Sequence, residues 1–211
     1  MKTIILFAIG FMLTLYSCTR DVKTESKAID KTDVSEIFDS YWEDYLKFYP
    51  LEATQQGDNR YNGLLVNDQT QQFRDSLGIF YRKYLKEISK VEREELSKND
   101  KLSYDIFIYE INIQLLGLKT NEWMIPFSQF TGLPLTMGQL GSGDGFQPFK
   151  TKEDYSNWLK RIDGFAVWTD SAIVNFRKGI KAGVVLPKPL VEKMIPQMEA
   201  MVVEDPKKSL F

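Results

Sequence analysis

An all-α fold, a multi-helix array or bundle, is predicted by three observations. Apolar residues recur at spacings of three and four through most of the chain, Pro, Gly and Asp/Asn clusters punctuate those stretches, and one segment, 101–118, is apolar on two faces. A helix with two apolar faces asks for two neighbours, so it is expected at the centre of the array, between layers of other helices.

The first stripe runs Val34, Ile37, Phe38, Tyr41, Trp42, Tyr45, Phe48, Tyr49. Asp33 with Glu36 offers a start resembling a capping box, and Pro50 ends the helix because proline lacks the N–H that the ladder needs. A short helix is predicted over 51–56, before the Gly57-Asp58-Asn59 turn, and 61–68 reads as loop. From Asp68 onward Phe73, Leu77, Phe80, Tyr84, Ile88 and Val91 mark another amphipathic helix, and the charge-rich segment 92–100 links it to the two-faced one. Winding 101–118 at about 100° per residue sets Leu102, Ile106, Tyr109, Ile113 and Leu116 on one side. Tyr104, Phe107, Ile108, Ile111, Leu115 and Leu118 fall on the other. Asp105 and Asn112 form a narrow polar line between these faces, with Ser103, Glu110 and Gln114 on the opposite line.

Segment 121–150 carries three prolines and several glycines, including the run 138–145, and is predicted to be a long irregular loop. Thr151 caps a helix through Asp154 that carries Tyr155, Trp158, Leu159, Ile162 and Phe165; a further helix runs from about 170 to 182, with Gly183 as its C-cap. Pro187 and Pro189 open the last helix, through Val191, Met194, Ile195, Met198 and Val202, and Pro196 is expected to kink it. The chain stops at Ser209-Leu210-Phe211, just past that apolar stripe, and reads as a truncated domain.

Domain organisation is set at the other end. Lys2 opens a short basic region, and 4–16 is an almost unbroken apolar run, shorter than the ~20 residues a membrane-spanning helix needs. Residues 1–17 therefore read as a signal peptide. Leu15-Tyr16-Ser17-Cys18 resembles the lipobox of bacterial lipoproteins, although Tyr16 is larger than the residue usual there; the alternative is an ordinary secretory signal with an incidental cysteine. Cys18 is the only cysteine, so no intramolecular disulfide can form, and its acylation would make membrane lipid a partner. Several acyl chains hold durably where one holds marginally. Thr19 stands where an Asp would point to inner-membrane retention by analogy with enteric lipoproteins, so the expected location is the cell envelope, at the outer membrane. Residues 18–31, charged and without periodicity, form a tether, and 32–211 the helical domain.

The composition excludes more chemistry than it offers. With no histidine, Ser-His-Asp and Cys-His nucleophilic systems and imidazole zinc sites are ruled out, and no Ser-x-x-Lys occurs. The net charge is −2 and lysines are interspersed with acidic residues, so no nucleic-acid partner is expected. Carboxylates remain. Asp105 and Glu110 stand out within a mostly apolar helix but point to opposite sides, and read as exposed edges or hydrogen-bonded groups rather than one acid–base pair. Glu92, Glu94 and Glu95 read as a solvated charge run. Gly141-x-Gly143-x-Gly145 lacks the strand before it and the Lys-Ser/Thr after it that a phosphate cradle needs, and Asp144 lacks further oxygen ligands for calcium. Of the four tryptophans, Trp42 and Trp158 lie on helix stripes and are expected in the core, whereas Trp123 and Trp168 stay open as surfaces for sugar rings. No catalytic, metal or cofactor-binding residue is assigned; Cys18 is the one site residue.

Several of these segments resemble a known family: Tyr41-Trp42, Tyr49-Pro50-Leu51-Glu52-Ala53-Thr54 with Gly57-Asp58, Asn99-Asp100-Lys101-Leu102-Ser103-Tyr104, and Phe176-Arg177-Lys178-Gly179-Ile180-Lys181-Ala182-Gly183 with Pro187. Together they look like the N-terminal part of bacterial proteins grouped as domain of unknown function 885 (DUF885), many of them lipoproteins. Full-length members are longer and look like helical zinc metallopeptidases, with a His-Glu-x-x-Pro-Gly-His type helix that has no counterpart here. The resemblance implies the N-terminal helical scaffold of a membrane-anchored, zinc-dependent peptidase, forming one wall of a substrate cleft. It implies a missing C-terminal half as partner, peptide as substrate, and zinc in the full-length protein with no cofactor in this chain. The alternative is a self-contained helical surface lipoprotein that binds glycan or peptide.

Overall fold

The computed structural model describes residues 34–209. The segments read as signal peptide and tether, Cys18, the cap expected at Asp33 and Leu210-Phe211 lie outside them. Among the described residues there are seven α-helices and no strand: α1 (Val34–Phe48), α2 (Pro50–Gln55), α3 (Gln71–Ile88), α4 (Lys98–Gly117), α5 (Leu133–Gly141), α6 (Lys152–Ala182) and α7 (Lys188–Glu199).

Local chemistry sets the boundaries. Pro50 ends α1 and opens α2, where a missing N–H costs nothing. Gly57, at φ +83, then turns the chain, and the Asp58 carboxylate accepts the Arg60 backbone N–H at 3.0 Å. The Thr70 and Ser97 hydroxyls accept the backbone N–H groups of Phe73 and Asp100, at 3.0 and 3.2 Å, and so start α3 and α4. Thr151 and Asp154 form the expected capping box of α6, and Gly183 closes that helix in the left-handed conformation at φ +73.

Two apolar clusters hold the helices. In the first, α1, α3 and α4 meet around Ile37, Phe80, Tyr84, Ile88 and Ile111, with Phe38, Tyr41, Phe107 and Leu115 packed against them. The second gathers Met137 and Leu140 of α5 and Trp158 of α6, flanked by Leu51 of α2 and Leu65.

Arg161 binds the second cluster to the loops. Its side chain is fully buried, and its guanidinium donates to the carbonyls of Leu64 and Tyr61 (3.2 and 3.1 Å), to Thr54 Oγ1 (2.6 Å) and to Gln147 Oε1. Burial lowers its pKa to about 10, still far above neutrality, so the group remains a cation satisfied by neutral acceptors.

Four expectations are corrected. First, α4 is not sandwiched: Ile111 is 1% exposed, yet Leu102, Ile106, Tyr109, Ile113 and Leu116 on the other face are all exposed. Periodicity reports that a face is apolar, not that a neighbour covers it. Second, segment 121–150 is not one irregular loop; α5 lies within it, opened by Pro134 in its first turn and anchored by buried Met137 and Leu140. Third, the two helices read across 152–182 are one helix. Gly164 does not break it, because a loop approaches there: a Cβ on Gly164 would sit 3.0 Å from Leu65 Cβ. Fourth, the two-faced helix starts at Lys98 rather than at 101, inside the segment read as a linker. Pro196 does lie inside α7, as the sequence placed it.

Candidate functional site

A groove of about 640 Å³ lies between α1 and α4, well within the size range of ligand sites. From α1 come Phe38, Tyr41, Trp42 and Tyr45, with Tyr49 just beyond the helix and Glu52 on α2. From α4 come Ser103, Ile106, Phe107, Glu110, Ile111 and Gln114, while Tyr81 of α3 contributes from beneath. Spacing dictates this arrangement. Positions 41 and 45 are four apart and share one side of α1, with Tyr49 just past its end, and 103, 110 and 114 share one side of α4.

The rings of α1 form a graded series. Trp42 lies flat on Tyr45, with centroids 5.6 Å apart and planes 15° apart, and Tyr45 meets Tyr49 at 4.5 Å. Tyr81 and Ile111 are each 1% exposed and make the floor, whereas Trp42 at 42% and Ile106 at 52% stand at the rim. Trp42 was expected in the core. It sits instead at the mouth of this groove, because the aromatic stripe of α1 is wider than the contact α3 and α4 make with it.

Burial sets the protonation of the phenols. It pushes Tyr41, Tyr45 and Tyr81 above the usual phenol range, with neighbouring phenols adding to the effect at Tyr41 and Tyr81. Tyr49 is raised to about 12, chiefly by burial, although the Tyr81 hydroxyl works in the opposite direction. All four are therefore neutral hydroxyls at physiological pH. Glu52 and Glu110 are the carboxylates of the lining, and no lysine or arginine belongs to it.

The carboxylates singled out in the sequence separate as their helical positions required. Glu110 lines the groove; Asp105 is outside it, held by Arg93 through two hydrogen bonds of 2.7 and 2.6 Å. That pairing keeps the Asp105 carboxyl below its usual range and ties the turn at Arg93–Glu95 to α4. The two carboxylates make no acid–base pair. In the charge run, Glu94 bonds to Lys101 at 2.9 Å and to Arg93 at 3.0 Å.

The open tryptophans resolve as frame. Trp168 is 2% exposed, and its indole N–H donates to Asp68 at 2.6 Å. Trp123 is faced by the Arg74 guanidinium at 4.4 Å and the Lys178 ammonium at 5.4 Å, which joins α3, the turn at Glu122–Met124 and α6. Trp158 is buried as expected. Gly141 ends α5, and Asp144 follows a left-handed Gly143 at φ +84.

Arg161 was not singled out by the sequence, since a lone arginine on an amphipathic helix reads as solvated. The groove itself left a fainter signal: a stripe rich in tyrosine, whose hydroxyls need partners or water, facing the polar line of Ser103, Glu110 and Gln114.

A zinc centre needs three or four ligands drawn from His, Cys, Asp and Glu around one point. The chain has no histidine, and no group of three such residues comes together among the described ones. The described residues do not fit zinc.

The segments that carry the family resemblance divide between groove and frame. Tyr41, Trp42, Tyr49, Glu52 and Ser103 line the groove, whereas Thr54 binds Arg161, and Gly179 lets α6 approach the Met124 carbonyl. No curated protein and no solved structure matches the chain. A family model described as "Bacterial protein of unknown function (DUF885)" matches residues 50–211, which takes in Glu52, Tyr81 and the whole α4 side of the groove and leaves α1 before it. That match covers well over half of the chain, which therefore belongs to the DUF885 family of bacterial proteins.

Proposed function

We propose that the groove between α1 and α4 is the ligand-binding wall of an exported DUF885 protein, anchored to the outer membrane through acylated Cys18, and that it seats an extended peptide. One observation carries the binding reading: a ladder of aromatic faces on α1 opposes hydrogen-bonding side chains spaced along α4. From Ser103 to Gln114 the helix rises about 16 Å, the length of about five extended residues. Apolar walls with a few polar groups are the usual makeup of a ligand site. In this reading the zinc-dependent hydrolysis that the resemblance implies belongs to residues other than the described ones, and these helices hold the substrate.

A glycan is the second reading, favoured by the exposed, flat ring of Trp42. Titrating the whole detergent-solubilised chain with a neutral pentapeptide and with a linear oligosaccharide separates the two. Ser103→Trp, which fills the groove, is expected to abolish binding of the true ligand. Peptide binding that survives this substitution would place the site elsewhere. For the anchor, mass spectrometry of the mature wild-type chain is expected to show acyl mass on Cys18, absent from Cys18→Ala; a lipid-free wild type would refute it.

A further inference from the structure

The charge of the groove is one-sided. Glu52 and Glu110 stand in its lining, no cationic side chain does, and neither carboxylate has an ion-pair partner among the described residues. On the two helices that flank the groove, Lys47 pairs with Asp44 at 2.7 Å and Lys101 with Glu94 at 2.9 Å. Elsewhere in this structure acidic side chains such as Asp44, Asp58 and Asp105 do find a lysine or arginine.

The rings add to this field. An aromatic face is the negative end of a quadrupole, and a cation over it is attracted, most strongly over tryptophan. The Trp42 and Tyr45 rings are stacked beside the groove with Trp42 partly open to solvent, and the structure already uses such contacts where Arg74 and Lys178 face Trp123. A ligand carboxylate in the same place would meet two like charges and no cation. A neutral side chain would gain apolar contact but leave both carboxylates uncompensated.

Building on the peptide-binding reading above, we infer that the groove selects a peptide carrying a lysine or arginine side chain, seated against the Trp42–Tyr45 rings with Glu52 and Glu110 as its counter-charges. Selection is electrostatic and the carboxylates are exposed, so the preference is expected to be moderate and to weaken with salt.

The experiment uses the whole detergent-solubilised chain and three capped pentapeptides, identical except for a central lysine, Nε-acetyl-lysine or glutamate, titrated by calorimetry. The lysine peptide is expected to bind about tenfold more tightly than the acetylated one, and the glutamate peptide most weakly. Glu52→Gln combined with Glu110→Gln should bring the lysine and acetyl-lysine peptides within about twofold of each other. Circular dichroism verifies that this variant is folded. Equal binding of the lysine and acetyl-lysine peptides by the wild type, or a preference that persists in the double variant, would overturn the inference while leaving the peptide groove standing. Absence of binding by all three would overturn both.

Discussion

Arg161 donates a 2.6 Å hydrogen bond to the hydroxyl of Thr54, a residue 107 positions earlier, from a side chain that is wholly buried. The same guanidinium satisfies the carbonyls of Leu64 and Tyr61 and the amide oxygen of Gln147. Arg161→Ala would leave all these acceptors in the interior without a donor, beside a cavity. A loss of about 3–5 kcal/mol is expected, read from urea unfolding. Stability within about 0.5 kcal/mol of wild type would mean that water replaces the guanidinium and that the hub is dispensable.

The two faces of α4 are expected to respond oppositely to charge. Ile111→Asp places a carboxylate at a position 1% exposed and should cost several kcal/mol, whereas Ile106→Asp, at 52% exposure, should change stability by less than about 1 kcal/mol. Thermal melts of the two variants check this. Equal damage from both would show that a partner covers the outer face.

Asp44 accepts hydrogen bonds from Lys47, Lys83 and Tyr84, each at 2.7 Å, and these hold its carboxyl well below the usual range. A carboxyl with a depressed folded pKa contributes stability above its unfolded pKa of about 4, and loses that contribution as pH falls further. Asp44→Asn is therefore expected to be less stable by about 1–2 kcal/mol at pH 7, with the difference from wild type shrinking steadily below pH ~4. A difference independent of pH would assign the effect to packing.

Gly179 sits where α6 touches backbone. A Cβ there would lie 2.6 Å from the Val184 carbonyl oxygen and 2.9 Å from that of Met124, and neither can swing aside as a side chain could. Gly179→Ala is expected to cost about 1–3 kcal/mol. Gly117→Ala, with nothing within 4 Å of its Cβ position, should be neutral or stabilising by up to about 1 kcal/mol. Denaturation midpoints for the pair test the assignment; a harmless Gly179→Ala would show that the 122–124 turn is free to retreat.

Much of this architecture was legible in local signals. The capping box at Thr151, the Gly183 terminus, the Pro50 boundary and the stripes of α1 and α3 each depend on residues near in sequence, and each appears as expected. What failed depended on distant neighbours. The interval 166–169 and the prolines of 121–150 read as breaks, whereas α6 runs unbroken and α5 packs its Met137 and Leu140 against Trp158. The groove was visible only in pieces, because Trp42 and Ile106 both read as apolar core residues and nothing local reveals that α1 and α4 splay apart above Tyr81. Glu110 could be placed on the correct side of its helix, but not opposite a row of tyrosines.

The bonds of Arg161 also bear on the order in which the chain acquires its shape. Its contacts to Leu64, Tyr61, Thr54 and Pro50 span 97, 100, 107 and 111 positions, whereas α3 and α4 lie close along the chain. Closing so long a loop carries an entropic penalty that the helix pairing of α3 with α4 avoids, so that pairing is the earlier event on the folding pathway. During synthesis Tyr61, in the turn that follows α2, is added 100 residues before its guanidinium partner. Until α6 docks, Thr54 and the Tyr61 carbonyl have only water to satisfy them, so docking of α6 is expected to be a late event.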